Sequence, residues 1–160
     1  MILVVVKTSF IKGKFGIAVT KFELCKGPKI KDCCTWKYRI ENENVMTFEA
    51  EMTENMPSVK GKILVSTNGK ESFRLQMNRL CDHLFVGPLV KTFLNFTNNC
   101  IILKGHYDFT VDVEKAAQNY YGGSFIYGNL TFKAAFNNNQ CNLFCGVFVL
   151  NFYPKNATNS

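Results

Sequence analysis

The chain has 160 residues, 47% of them hydrophobic and 14% aromatic, with a formal charge of +7. That length is one domain's worth, able to bury roughly two-thirds of its unfolded surface around a single core, and it argues against two independent domains. Charged residues make up only 19%, below the ~25% of an average domain, so apolar material exceeds what a small core needs and part of it is expected to line a cavity or cover a partner-facing patch.

At the N-terminus, the six-residue apolar run Met1 to Val6 ends at Lys7, short of the ~7 to 15 residues of a signal-peptide core. Residues 1–13 therefore read as an N-terminal extension or truncated leader, residues 14–153 as one domain, and residues 154–160 as a frayed tail. Phe15, Ile17 and Val19 share a parity that Phe22 and Leu24 break, which predicts a β-bulge around Thr20. The charge excess also lies here: residues 1–40 hold nine Lys/Arg against two acids, and the remainder ten against ten. Spread among strand-like segments, these lysines read mainly as solvent-facing positions with a modest preference for anionic surfaces.

Further along, period two dominates. Met46, Phe48, Ala50 and Met52 alternate with Thr47, Glu49 and Glu51, as in a half-buried strand. Val59, Ile63 and Val65 lead into Asn68-Gly69, after which Phe73, Leu75 and Met77 resume the alternation, so residues 59–77 are expected to form a hairpin with a tight turn. Residues 78–97 alone read as helical, with Leu80 and Leu84 spaced i,i+4, a break at Gly87-Pro88, and then Leu89, Phe93 and Leu94. Tyr107, Phe109, Val111 and Val113 oppose His106, Asp108, Thr110 and Asp112. Gly122-Gly123 reads as a turn, and Leu130, Phe132, Ala134 and Phe136 oppose Asn129, Thr131 and Lys133. The last segment, residues 143–153, is apolar on both faces, as in a strand flanked by neighbours and covered on both sides, or one that lines a pocket. Eight or so short strands with one helical insertion indicate an all-β fold, a sandwich or barrel.

Seven cysteines, at 25, 33, 34, 81, 100, 141 and 145, accompany three glycosylation sequons at Asn95, Asn129 and Asn156. Together they favour an oxidising, secretory setting and disulfides. No apolar run approaches the ~18 residues of a membrane span.

Chemistry-bearing motifs are sparse. There is no G-x-S-x-G elbow, and His83 and His106 have no partner arrangement legible in sequence, so no enzyme activity is expected. Cys141 and Cys145 at C-x3-C would make only half a metal site, and neither a metal nor a cofactor is expected. Nucleic-acid binding would need aromatics and lysines on one sheet face, whereas here they lie on opposite faces. The aromatics therefore face inward together.

The order of "FELC" (Cys25), "FRLQMNRLCDHL" (Cys81), "NNCIILKGHYDFTVDV" (Cys100), "YGGSFIYGNLTFKAAF" and "LFCGVFVLNFY" (Cys145) resembles the ML lipid-recognition superfamily. The nearest likeness is to the ganglioside-activator-like branch and related insect secreted proteins, over roughly residues 14–153. The proline that usually follows the cysteine at position 100 is Ile101 here. The resemblance implies a secreted, immunoglobulin-like two-sheet sandwich with a hydrophobic cup that binds lipid or another apolar ligand, and some of the insect proteins are chemosensory. It also implies Cys81–Cys100 and Cys25–Cys145 bridges. Cys141 is then expected to pair with one of Cys33 and Cys34, with Cys34 taken as the partner and one thiol left over.

Cup-lining candidates follow from strand parity: Phe48, Phe73, Leu75, Tyr107, Phe109, Phe132, Phe136 and Phe148. Plain core packing is the competing reading for each. The expected partner is an apolar small molecule or lipid, with transient membrane-surface contact. The alternative is a filled sandwich that docks on a receptor protein through its basic strands or helix edge.

Overall fold

The computed structural model describes residues 15–120 and 128–155. The N-terminal extension at 1–13, the Gly122-Gly123 turn, most of the tail and the Asn156 sequon lie outside the described residues. Among the described residues there are eight strands: β1 (Phe15–Leu24), β2 (Cys34–Ile40), β3 (Val45–Met52), β4 (Lys60–Thr67), β5 (Lys70–Met77), β6 (Gly105–Asp112), β7 (Gly128–Asn137) and β8 (Asn142–Pro154). They form two antiparallel sheets, ordered β1-β8-β7-β4-β5 and β2-β3-β6. This is an all-β two-sheet sandwich, one of the two classes that the alternation indicated, in the immunoglobulin-like form that the resemblance implied.

Period-two patterning determines which side chains meet between the layers. In the smaller sheet, Tyr38, Phe48 and Phe109 stand in one row, and Trp36, Ala50 and Tyr107 in the next. Across from them, one row of the larger sheet is Phe22, Phe148, Phe132, Val65 and Phe73. The register shift in β1 falls between Val19 and Lys21, which is the bulge expected at Thr20. It returns Phe22 to the inner face, where it is buried. The 59–77 hairpin closes through Asn68 and Gly69, with φ of 52° and 81°, the left-handed values that a two-residue hairpin turn requires.

Five strands facing three leave part of the larger sheet uncovered. Phe73 lies on edge strand β5 beyond the reach of the smaller sheet and is 46% exposed. Along the opposite side the layers are tied together. The indole N–H of Trp36 donates to the Leu143 carbonyl at 2.7 Å, and the Tyr38 hydroxyl donates to the Phe22 carbonyl at 3.2 Å.

The helical region differs from expectation in two places. Residues 78–97 form a 3-10 turn at Leu80–Asp82 and a short helix α1 (Val86–Lys91). Gly87-Pro88 sits inside the first turn of α1 and does not break it, because a proline there has no intrahelical N–H to lose. Gly87 is needed for a different reason: a Cβ would come within 2.7 Å of the Cys81 carbonyl oxygen where α1 folds back on the 3-10 turn. A second helix, α2 (Val113–Tyr120), begins where the β6 alternation ends. The Asp112 carboxylate caps it by accepting the Lys115 N–H at 2.9 Å, a start signal that was present in the sequence. From α2, the buried Glu114 accepts the Ile17 N–H at 3.0 Å and the Lys155 ammonium at 2.6 Å. It thereby covers the open edge of β1.

Three disulfides form: Cys25–Cys145, Cys81–Cys100 and Cys33–Cys141. The third corrects the choice of Cys34. Cys33 precedes β2 and its N–H donates to the Asn142 carbonyl, which brings it beside Cys141. Cys34, one residue later, belongs to β2 and is a buried free thiol. No helix among the described residues is long and apolar enough to cross a membrane.

Candidate functional site

A cavity of about 240 Å³ lies between the sheets, and every residue that lines it is apolar. The smaller sheet contributes Trp36, Met46, Phe48, Phe109 and Val111, and the larger sheet contributes Ile63, Ala134, Phe136, Phe144 and Phe148. The third wall comes from the segment between β5 and β6: Leu80 of the 3-10 turn, Val86, Leu89 and Val90 of α1, and Phe93 and Leu94 beyond it. That segment joins the last strand of one sheet to the edge strand of the other, so it covers the side of the sandwich away from the Trp36 and Tyr38 ties. The Cys81–Cys100 bridge fastens its two ends.

The aromatic side chains form a connected wall. Phe109 stacks on Phe48 and Phe93, with centroids 5.6 and 4.6 Å apart, and Trp36 meets Phe144 edge-on at 5.1 Å. Such pairs hold their geometry without filling the centre. Ala134 explains the space: it occupies the middle of the larger sheet's inner face, where a bulkier side chain would project into the cavity. Among the described lining residues the only side-chain polar hydrogen, the Trp36 indole N–H, is already spent on Leu143. An occupant is thus offered area and shape, with no polar anchor.

Of the eight sequence-derived candidates, Phe48, Phe109, Phe136 and Phe148 line the cavity, whereas Phe73, Leu75, Tyr107 and Phe132 do not. Leu75 and Phe132 are half-buried against the core. Tyr107 is buried in the core, its hydroxyl donating to the Leu103 carbonyl at 2.5 Å, and burial raises its pKa. The candidates left out Met46 and Ile63, which sit on the apolar phase of their strands, Trp36, on a strand that was not anticipated, and Phe144, on a strand apolar on both faces. Strand parity could not have found the 80–94 wall, which follows no strand period. Leu84 and Phe85, at the entry to α1, are 83% and 59% exposed beside the cavity-lining Val86.

Neither histidine reaches the cavity. The backbone N–H groups of Phe85 and Val86 donate to His83 Nδ1 at 3.3 and 3.1 Å, so His83 acts as a cap at the start of α1. His106 lies on the outer face of the smaller sheet, 2.9 Å from Glu51 and 3.1 Å from Asp108. Its pKa is raised, first by the hydrogen bond to Glu51 and further by that to Asp108. Glu49, His106 and Asp108 each offer one ligand atom within 4.8 Å of the others, and all three are exposed. Cys141 and Cys145 are both bridged and provide no metal ligand. Cys34 is free but buried, and burial pushes its thiol up to about 12, which disfavours the thiolate that reacts or binds metal.

No protein-family model and no curated protein matches this chain. Among solved structures, the chain is similar to chicken MD-1 complexed with lipid IVa, at a TM-score of 0.45 and 12% identity, over 88% of this chain and 91% of that one.

Proposed function

We propose that this chain is a secreted carrier that encloses a small apolar molecule or a single lipid chain between its sheets and performs no covalent chemistry on it. The observation that carries this reading is the all-apolar cavity walled by both sheets and by α1. The motif order read in the sequence, which resembles the ML lipid-recognition superfamily, agrees with it. Three disulfides support an oxidising compartment. Asn95 and Asn129 are both exposed, so their sequons are proposed glycan acceptors. The exposed Leu84-Phe85 pair beside the helical wall is suited to transient contact with a membrane during ligand exchange.

The volume favours a small ligand. About 240 Å³ exceeds the ~150 Å³ of a dry cavity able to hold benzene and falls below the ~300 to 1,000 Å³ of sites for drug-sized ligands. One acyl chain or a compact ring system matches that space, and a multi-chain glycolipid does not. Native mass spectrometry of protein expressed through a eukaryotic secretory pathway tests the reading. A stoichiometric apolar adduct, identified after organic extraction, is expected. A clean apo mass with three bridges intact, unchanged after incubation with a mixture of fatty acids and small terpenoids, would overturn it and favour the protein-interaction alternative.

A further inference from the structure

The outer face of the larger sheet carries a second concavity, of about 610 Å³, on the side away from the apolar cavity. Five lysines line it: Lys26 and Lys29 from the loop after β1, Lys60 and Lys62 from β4, and Lys133 from β7. No carboxylate appears among its described lining residues. None of the five groove lysines forms an ion pair among the described residues, as is also true of Lys37, Lys70, Lys91, Lys104 and Lys115 outside it. What sets the five apart is that they share one concavity. Glu71 of β5 feels the charge of Lys62, but five lysines in one concavity remain an excess of like charge, which works against the fold and which a polyanionic ligand would relieve.

The groove is held in place by the fold. Lys60 and Lys62 project from one face of β4, roughly 6.6 Å apart at the ~3.3 Å rise of a strand. Lys133 stands opposite Leu64 on β7, diagonal to Lys62. Ala135, opposite Lys62, keeps the floor low between them. The loop that bears Lys26 and Lys29 is fastened on both sides. The Cys25–Cys145 bridge secures one end. The buried Asn142 amide grips the backbone of Lys29, donating to its carbonyl at 2.8 Å and accepting its N–H at 3.0 Å. Gly27 lets the loop come this close, since a Cβ there would lie 2.4 Å from the Asn142 side chain.

The geometry points to an acidic oligosaccharide, sulfated along its chain, as the occupant of this groove. Lysines act as point charges that meet sulfate oxygens from varied directions. Leu64 and Ala135 offer a low apolar floor for sugar-ring faces, and Gln76 and Asn78 supply amides for hydroxyls. Among the described lining residues no aromatic side chain offers a base a surface to stack on, which disfavours single-stranded nucleic acid. A planar bilayer cannot enter a concavity. This inference is independent of what the apolar cavity binds.

Titration calorimetry with a heparin-derived hexasaccharide, inorganic sulfate and anionic phosphatidylserine vesicles provides the test. The wild-type chain is compared with K62Q/K133Q and with the control K104Q/K115Q, which removes two cations outside the groove. All four positions are exposed, so unchanged melting temperatures verify that both variants are folded. The expected result is hexasaccharide binding at least tenfold weaker in K62Q/K133Q than in the control, with a shallower dependence on salt because fewer counterions are released. Equal loss in both variants would show that only net charge is read and would overturn the assignment. So would inorganic sulfate binding as tightly as the hexasaccharide at matched sulfate concentration, or vesicles binding when the hexasaccharide does not.

Discussion

His106 shows how one residue on a strand's polar face can acquire a tuned environment. Alternation alone placed it in solvent, and it is exposed. Only the β3–β6 register brings Glu51 directly opposite, while Asp108 lies two residues along the same strand. Both carboxylates favour the protonated ring, and the folded pKa is raised above its ordinary value. A group with a raised folded pKa contributes stability that is fully present below its unfolded pKa, near ~6.5 for histidine. That contribution is lost as pH rises through the folded value. Thermal melts are therefore expected to fall slightly between neutral and mildly alkaline pH, and His106→Gln should flatten the profile in that window; a profile identical in wild type and variant would refute the linkage. Cys33 and Cys34 mark the limit of sequence at this scale. Strand faces reverse at every residue, so which of two adjacent cysteines looks toward Cys141 depends on where β2 begins.

At the scale of elements, the segment between β5 and β6 is the least strand-like part of the chain and supplies one wall of the cavity. Its short helix, at six residues, is too brief to hold itself in water. Its position rests on cavity-facing side chains, the hydrogen bond from Leu80 N–H to the Val59 carbonyl, and the Cys81–Cys100 bridge. Closing a loop of about 20 residues is worth on the order of 3 kcal/mol in the chain-entropy account. Replacing both cysteines by serine is expected to lower stability by about that amount, and to weaken ligand retention further because the wall loosens. Chemical denaturation checks the first effect, and an unchanged midpoint would count against the role assigned to the bridge. The spacing of Leu80 and Leu84 reads as one helical stripe, but Leu80 belongs to the 3-10 turn, Leu84 lies exposed in the turn that follows, and the helix begins only at Val86. The segment's division into a 3-10 turn and a helix that includes Gly87-Pro88 was not legible in the sequence, because the close approach to Cys81 is a tertiary constraint. Helix α2 was overlooked because the β6 alternation runs through Val113, although Asp112 signalled a cap.

Across the whole molecule, the decisive question is whether the aromatic interior is filled or hollow. Phe22 and Phe109 provide the comparison. Both sit on inner faces, but Phe22 is packed between the sheets against Tyr38, Phe48 and Phe148, whereas Phe109 borders the cavity. Phe22→Ala is expected to cost about 3 to 5 kcal/mol, as for an ordinary core phenylalanine. Phe109→Ala should cost less, since it enlarges a space that already exists, while weakening ligand binding. Equal losses in urea unfolding would mean a continuous core. The unequal sheets matter here as well: with three strands over five, Phe73 keeps its inward parity and still reaches solvent.

Local information in the chain determined the alternating strands other than β2, the Thr20 bulge, the Asn68-Gly69 turn and the all-β class, because each depends on neighbours within a few residues, whereas the choice of sandwich over barrel does not. Tertiary structure decided which inward phenylalanines enclose a cavity and which pack the core, and that Cys33 takes the bridge. It also gathered Lys26, Lys29, Lys60, Lys62 and Lys133 into one groove, where sequence had shown only an N-terminal excess of charge. Those outcomes depend on which strands lie side by side and which layer faces them. Contacts between residues as far apart as Cys25 and Cys145 establish that arrangement, and no short-range period encodes it.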